Sequence, residues 1–186
     1  MNDPGSELSV ARTSPTGAPR SVAAAIGRRE LLLGAGALAA APLLLRAPRA
    51  LAFHNDLEFL ESAIRLELLN AEAYDRATAR LGGIARLFRN QERQHALVLS
   101  GELRRMGGTP PSPDFSSVGR APTPAALIKL EDATVRVYVE SHKTIRDARL
   151  METVGSILAN QAQHLVALRD LAGQDPVPTA FETGES

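Results

Sequence analysis

The sequence predicts an all-α protein, a four-helix bundle made of two antiparallel hairpins joined by a long crossover. Three observations predict it. Four segments after residue 53 carry apolar residues at steps of three and four, the period of a helix face. No useful stretch alternates with period two, as a half-buried strand would. The first and second segments, and the third and fourth, are joined tightly, whereas a Pro/Ser/Gly-rich stretch over 107–122 separates the pairs.

Residues 1–52 are set apart from the rest. They hold six Arg and three acidic residues, although the whole chain balances 21 basic against 21 acidic groups. The opening stretch is rich in Ser, Pro, Gly and Ala without periodicity, the composition of a disordered leader. Arg28-Arg29 then precedes an apolar run from Leu31 to Leu45, which is shorter than the roughly 20 residues a bilayer span needs. Ala50-Leu51-Ala52 presents small residues at the −3 and −1 positions of a cleavage site before Phe53. This arrangement resembles a twin-arginine export signal. The resemblance implies a periplasmic or extracellular protein, exported already folded, with no stable membrane span after cleavage.

The first helix is expected over roughly 55–81, with Asn55 or Asp56 as N-cap and Gly82-Gly83 as stop. The second runs over roughly 84–106 and stops at Gly107-Gly108. The third opens at Thr123-Pro124, a capping residue followed by proline at the first helical position, and is expected to reach about 149. The fourth is expected over roughly 152–172, ending at Gly173, so that the bundle occupies 53–173 and 174–186 is a flexible tail.

Composition excludes several chemistries. With no cysteine there is no disulfide framework, iron–sulfur cluster or thiolate metal site. Balanced charge argues against a general nucleic-acid binder. No Ser-His-Asp order, phosphate loop or aromatic stacking platform appears, and no catalytic residue is assigned. Haem needs axial ligands facing one another, whereas Met106 and Met151 fall at helix ends.

The informative feature is what interrupts the apolar stripes. The first reads Leu57, Leu60, Ile64, Glu67, Ala71, Tyr74, Thr78, Leu81; the second carries Glu92 and His95 between Phe88 and Leu99. The third carries Glu131 between Leu127 and Tyr138, and the fourth Gln161 and His164 between Ile157 and Leu168. A carboxylate on a buried stripe is costly unless paired or bound to a metal, and carboxylate with imidazole suits iron or manganese. Residues three apart, as in E-x-x-H, lie side by side on a helix. The pattern repeats: Glu67 and Glu131 each precede a tyrosine by seven residues, and Glu92-Arg93-Gln94-His95 is matched by Gln161-Ala162-Gln163-His164. Two such hairpins would place a site on a pseudo-two-fold axis. Glu140 competes with Glu131 but lies about 180° around the helix, and His142 lies about 16 Å along it. Glu58, Glu61, Glu72 and Glu102 fall off the seams or at their margins and are expected to face solvent.

On these residues the chain resembles the ferritin-like superfamily, in particular its exported bacterial members. The resemblance implies a dinuclear site in which two helices each supply a Glu and two each supply an E-x-x-H pair. Glu67 and Glu131 take the single-Glu positions, to bridge or cap the ions. Glu92, His95 and His164 take pair positions, and the two tyrosines are expected to orient carboxylates. Gln161 stands where the fourth Glu belongs, so three carboxylates face up to four positive charges. The expected cofactor is one or two iron or manganese ions, held or oxidised, and a homo-oligomer is compatible with the resemblance. The alternative is a non-catalytic bundle with a vestigial polar core, acting as a structural or interaction protein.

Overall fold

The computed structural model describes residues 53–184, and the export-signal expectations for 1–52 lie outside the described residues. Four helices follow one another: α1 (Asp56–Leu81), α2 (Gly83–Arg105), α3 (Pro124–Ser141) and α4 (Ala148–Leu171). Among the described residues there is no strand, and no helix is long and apolar enough to cross a membrane.

Local chemistry explains the boundaries. Asn55 accepts the backbone N–H of Glu58 at 3.0 Å, and Thr123 accepts that of Ala126 at 3.2 Å with Pro124 behind it. Gly82 joins α1 to α2 at φ 60°, the left-handed region that glycine enters without strain. Its N–H closes α1 on the carbonyl of Thr78 at 2.9 Å.

The second hairpin departs from the sequence expectation. Helix α3 ends at Ser141 instead of about 149, and α4 begins at Ala148 instead of about 152. Asp147 caps α4 by accepting the N–H of Leu150 at 2.8 Å. Asp56, at the start of α1, accepts the backbone N–H groups of Arg146 and Asp147, each at 3.1 Å. A carboxylate from a distant helix thus satisfies donors that a longer α3 would have satisfied itself, which no local pattern announces.

Helix α1 packs against α2 and α3, and α4 packs against α3 and α2, leaving α1–α4 and α2–α3 as the diagonals. The crossover is tied down where Val118 is buried and its carbonyl accepts from Arg76 of α1. The tail is also held: Glu182 pairs with the buried Arg169 at 2.6 Å, and Arg136 donates to the carbonyl of Gly184 at 2.5 Å. The sequence reading of a loose extension missed both contacts.

The core is split. One apolar cluster joins the start of α1 to the ends of α2 and α3 and the start of α4, through Phe59, Ile64, Leu99, Val137, Leu150 and Val154. The other joins the opposite ends, through Tyr74, Phe88, Leu127, Val135, Leu165 and Leu168. Between them lies a buried polar belt that includes Glu67, Asn70, Glu92, Glu131, Thr134, Gln161 and His164.

Candidate metal centre

Each helix turns its interrupted stripe inward at mid-height. Glu67, Glu92, Glu131, Gln161 and His164 are fully buried, and His95 keeps 13% of its side chain exposed. Two sets of ligand atoms form, Glu67–Glu92–His95 and Glu92–Glu131–His164, and within each set the atoms lie within 4.8 Å of one another. Glu92 belongs to both. Glu67 and Glu131 sit at the two flanks, the capping half of the role expected of them, and Glu92 lies between. Glu140 faces outward and pairs with Lys143 at 2.7 Å.

A reciprocal hydrogen-bond pattern holds the belt. Tyr74 of α1 donates its hydroxyl to Glu131 of α3, and Tyr138 of α3 donates to Glu67 of α1. The same relation places Asn70 opposite Thr134, each three residues after its glutamate, with the amide nitrogen 3.0 Å from the hydroxyl. His95 directs Nδ1 at Glu67 (3.1 Å) and Glu92 (3.7 Å). His164 directs Nδ1 at Glu92 (2.8 Å) and Glu131 (3.2 Å). The Nε2 of His164 lies 2.9 Å from the side-chain oxygen of Gln91. An acceptor there keeps the Nε2 proton in place and leaves Nδ1 to face the carboxylates.

The symmetry breaks at Gln161. Its amide nitrogen donates to both oxygens of Glu67, at 3.2 and 3.1 Å, and to Glu92 at 3.1 Å. Its buried carbonyl oxygen makes no hydrogen bond.

Burial and crowding set the protonation states. Desolvation, reinforced by the charge of Glu92, holds the Glu67 carboxyl well above the usual carboxylate range. The same two causes raise Glu131 to about 7. Burial would also raise Glu92, but hydrogen bonds from Glu67, His164 and His95 outweigh it and keep Glu92 ionised, below the usual range. Burial disfavours charge on the histidines; hydrogen bonds to Glu67 and Glu92 nevertheless raise His95 to about 10, and those to Glu131 and Glu92 raise His164 to about 9. Protons therefore occupy the places where cations would otherwise balance the carboxylates.

Parts of the surroundings escaped sequence reasoning. Asn70 and Gln91 complete the belt together with Thr134, which the stripe of the third helix already carried between Glu131 and Tyr138. Glu102, expected to face solvent, is 5% exposed and anchors Arg105 at 2.7 Å and Arg149 at 2.9 Å, fastening the end of α2 to the start of α4. Leu57, expected on the buried stripe, is 36% exposed because the bundle ends beside it.

The donor set fits a hard or borderline divalent cation. Carboxylate oxygens and imidazole nitrogens converge from four helices, and the buried amide oxygens of Asn70 and Gln161 accept no hydrogen bond. No curated protein and no solved structure matches the chain. A family model described as a ferritin-like domain matches residues 55–174, the span of all four helices and their connections. The chain belongs to the ferritin-like domain family.

Proposed function

We propose that this is an exported ferritin-like protein that binds iron or manganese between its helices through a degenerate carboxylate/histidine site. The observation that carries the reading is the pair of three-residue ligand groups sharing Glu92. Glu67 and His95 serve one ion, Glu131 and His164 the other, and Glu92 lies between. Gln161 contributes a neutral amide, so one ion is held firmly and a second weakly. A redox-active ion held there supplies electron exchange with an oxidant such as O₂ or peroxide. The chain's own part is to keep the site dry between two apolar clusters and to orient the carboxylates through Tyr74 and Tyr138. Elemental analysis of protein purified from its own envelope tests the reading, with iron or manganese expected at about one ion per chain.

A specific observation favours the second reading, a structural bundle with a vestigial polar core. Gln161 satisfies both Glu67 and Glu92 without help from an ion. Protein that leaves the envelope without metal, and takes up neither Fe²⁺ nor Mn²⁺ on titration, would establish it.

Export rests on Arg28-Arg29 and Ala50-Leu51-Ala52. Phe53, the first residue after the proposed cleavage, is buried edge-on against Phe59 at 5.4 Å. Changing both arginines to lysine is expected to leave the precursor unexported; normal export of that variant would argue against a twin-arginine route.

A further inference from the structure

The two flanks of the belt differ in how they meet the surface. Residues 69 apart correspond between α2 and α4: His95 with His164, Phe88 with Ile157, Leu87 with Ser156, Ile84 with Thr153 and Gly83 with Glu152. On the His164 flank, Phe88 stacks on the imidazole with ring centroids 4.0 Å apart and an interplanar angle of 26°. Tyr74 meets the same ring edge-on, and His164 is left 1% exposed. On the His95 flank the equivalent of Phe88 is Ile157, which has no ring to lay over the histidine. There a groove of about 380 Å³ opens between α2 and α4, with His95 and Ile157 in its lining and Gln94, Glu152, Thr153 and Ser156 around them. The mouth thus sets the polar Glu152, Thr153 and Ser156 beside the apolar Val98, and the equivalents of those three polar residues on the other flank are Gly83, Ile84 and Leu87.

We propose that this groove is the entry route for a hydrated divalent cation, which reaches Glu67–Glu92–His95 first and the Glu131–His164 flank only by way of it. The inference rests on the metal-site reading above and adds a direction and an order of filling. Glu152 raises the local concentration of a cation at the mouth. Thr153, Ser156 and Gln94 offer hydroxyl and amide oxygen atoms that replace lost water as the ion moves inward. His95, the most exposed of the proposed ligands, receives it. The Phe88 stack removes the matching path on the other flank.

The test uses the full mature chain, freed of metal, and Co²⁺ alone as probe, followed by its visible absorption in a stopped-flow instrument. Ile157→Phe recreates over His95 the cover that Phe88 gives His164. It is expected to slow Co²⁺ loading at least roughly tenfold, with the final absorbance unchanged. Glu152→Gln, at an exposed position that cannot disturb packing, is expected to slow loading several-fold at low ionic strength and not at high ionic strength, where the carboxylate is screened. If both variants load at the wild-type rate while wild type binds Co²⁺ at equilibrium, the groove is not the route and the metal site stands. If wild type shows no Co²⁺ absorption even at equilibrium, the metal site itself is wrong and the route falls with it.

Discussion

The amide nitrogen of Gln161 sits 3.2 and 3.1 Å from the two oxygens of Glu67, bridging across the diagonal of the bundle from α4 to α1. A neutral donor here relieves the carboxylate crowding of the belt. Gln161→Glu would replace that donor with a fourth acid. Without metal, the variant is expected to lose about 1–3 kcal/mol of stability through an unmet acceptor and like-charge repulsion. With Fe²⁺ or Mn²⁺ it should bind a second ion more tightly than wild type. Calorimetric titration and thermal melts with and without metal check both halves; two tightly bound ions in the wild type would show that Gln161 is no handicap.

Glu92 and Glu131 should differ in what their loss does. Glu92→Gln removes the one carboxylate common to both ligand groups, so binding on both flanks should fail. Stability without metal should also fall, by about 3 kcal/mol or more, because the buried His164 and the part-buried His95 lose their shared counter-ion. Glu131→Gln should spare the Glu67–Glu92–His95 group and lower the stoichiometry rather than abolish binding. Equal loss in the two variants, measured by titration, would contradict the bridging position of Glu92.

Acidity should act oppositely on the metal-free and metal-bound forms. His95 and His164 have folded pKa values near 10 and 9, above their ordinary 6.5, so their contribution is complete below about 6.5 and is lost as pH rises through 9 to 10. The raised Glu67 and Glu131 act in the same sense, because the folded form holds their protons at pH values where the unfolded chain has released them. Glu92 is depressed, and its contribution is lost only on acidification below the ordinary carboxylate range. The metal-free protein should therefore melt higher at mildly acidic pH than near pH 9. A metal requires neutral imidazole and ionised carboxylate, so binding should release protons and weaken on acidification. Melting curves across pH, and titrations in buffers of different ionisation enthalpy, measure the two effects.

The crossed tyrosines give a fourth expectation. Tyr138→Phe removes the hydroxyl donor to Glu67, and Tyr74→Phe that to Glu131, each costing about 1–3 kcal/mol because a buried carboxyl group loses its partner. Denaturant unfolding measures the loss. Gly or Ala in place of either tyrosine would mix this effect with a cavity, so phenylalanine is the informative change.

Most of the bundle was legible because helix-period stripes, side-chain caps and glycine stops are local signals. The convergence of Glu67, Glu92, His95, Glu131, Gln161 and His164 was legible for the same reason: each is a polar interruption at the middle of an apolar stripe. Tertiary acceptors were not. The end of α3 depends on Asp56, roughly ninety residues away, and the burial of Glu102 depends on Arg149. The bridging position of Glu92 also escaped, since spacing on a helix tells which face a residue occupies and not which neighbours it shares across the interior.

The crossed donation of Tyr74 and Tyr138 makes each hairpin the supplier of what the other lacks. The first hairpin contributes Glu67, Glu92 and His95; the second contributes Glu131 and His164 but an amide at 161. A protein assembled from two copies of the first hairpin would thus present four carboxylates and two histidines around a true axis, whereas two copies of the second would present only two carboxylates. The charge deficit is therefore the property of one half-sequence, and it could be erased or deepened by recombining halves without redesigning the interior.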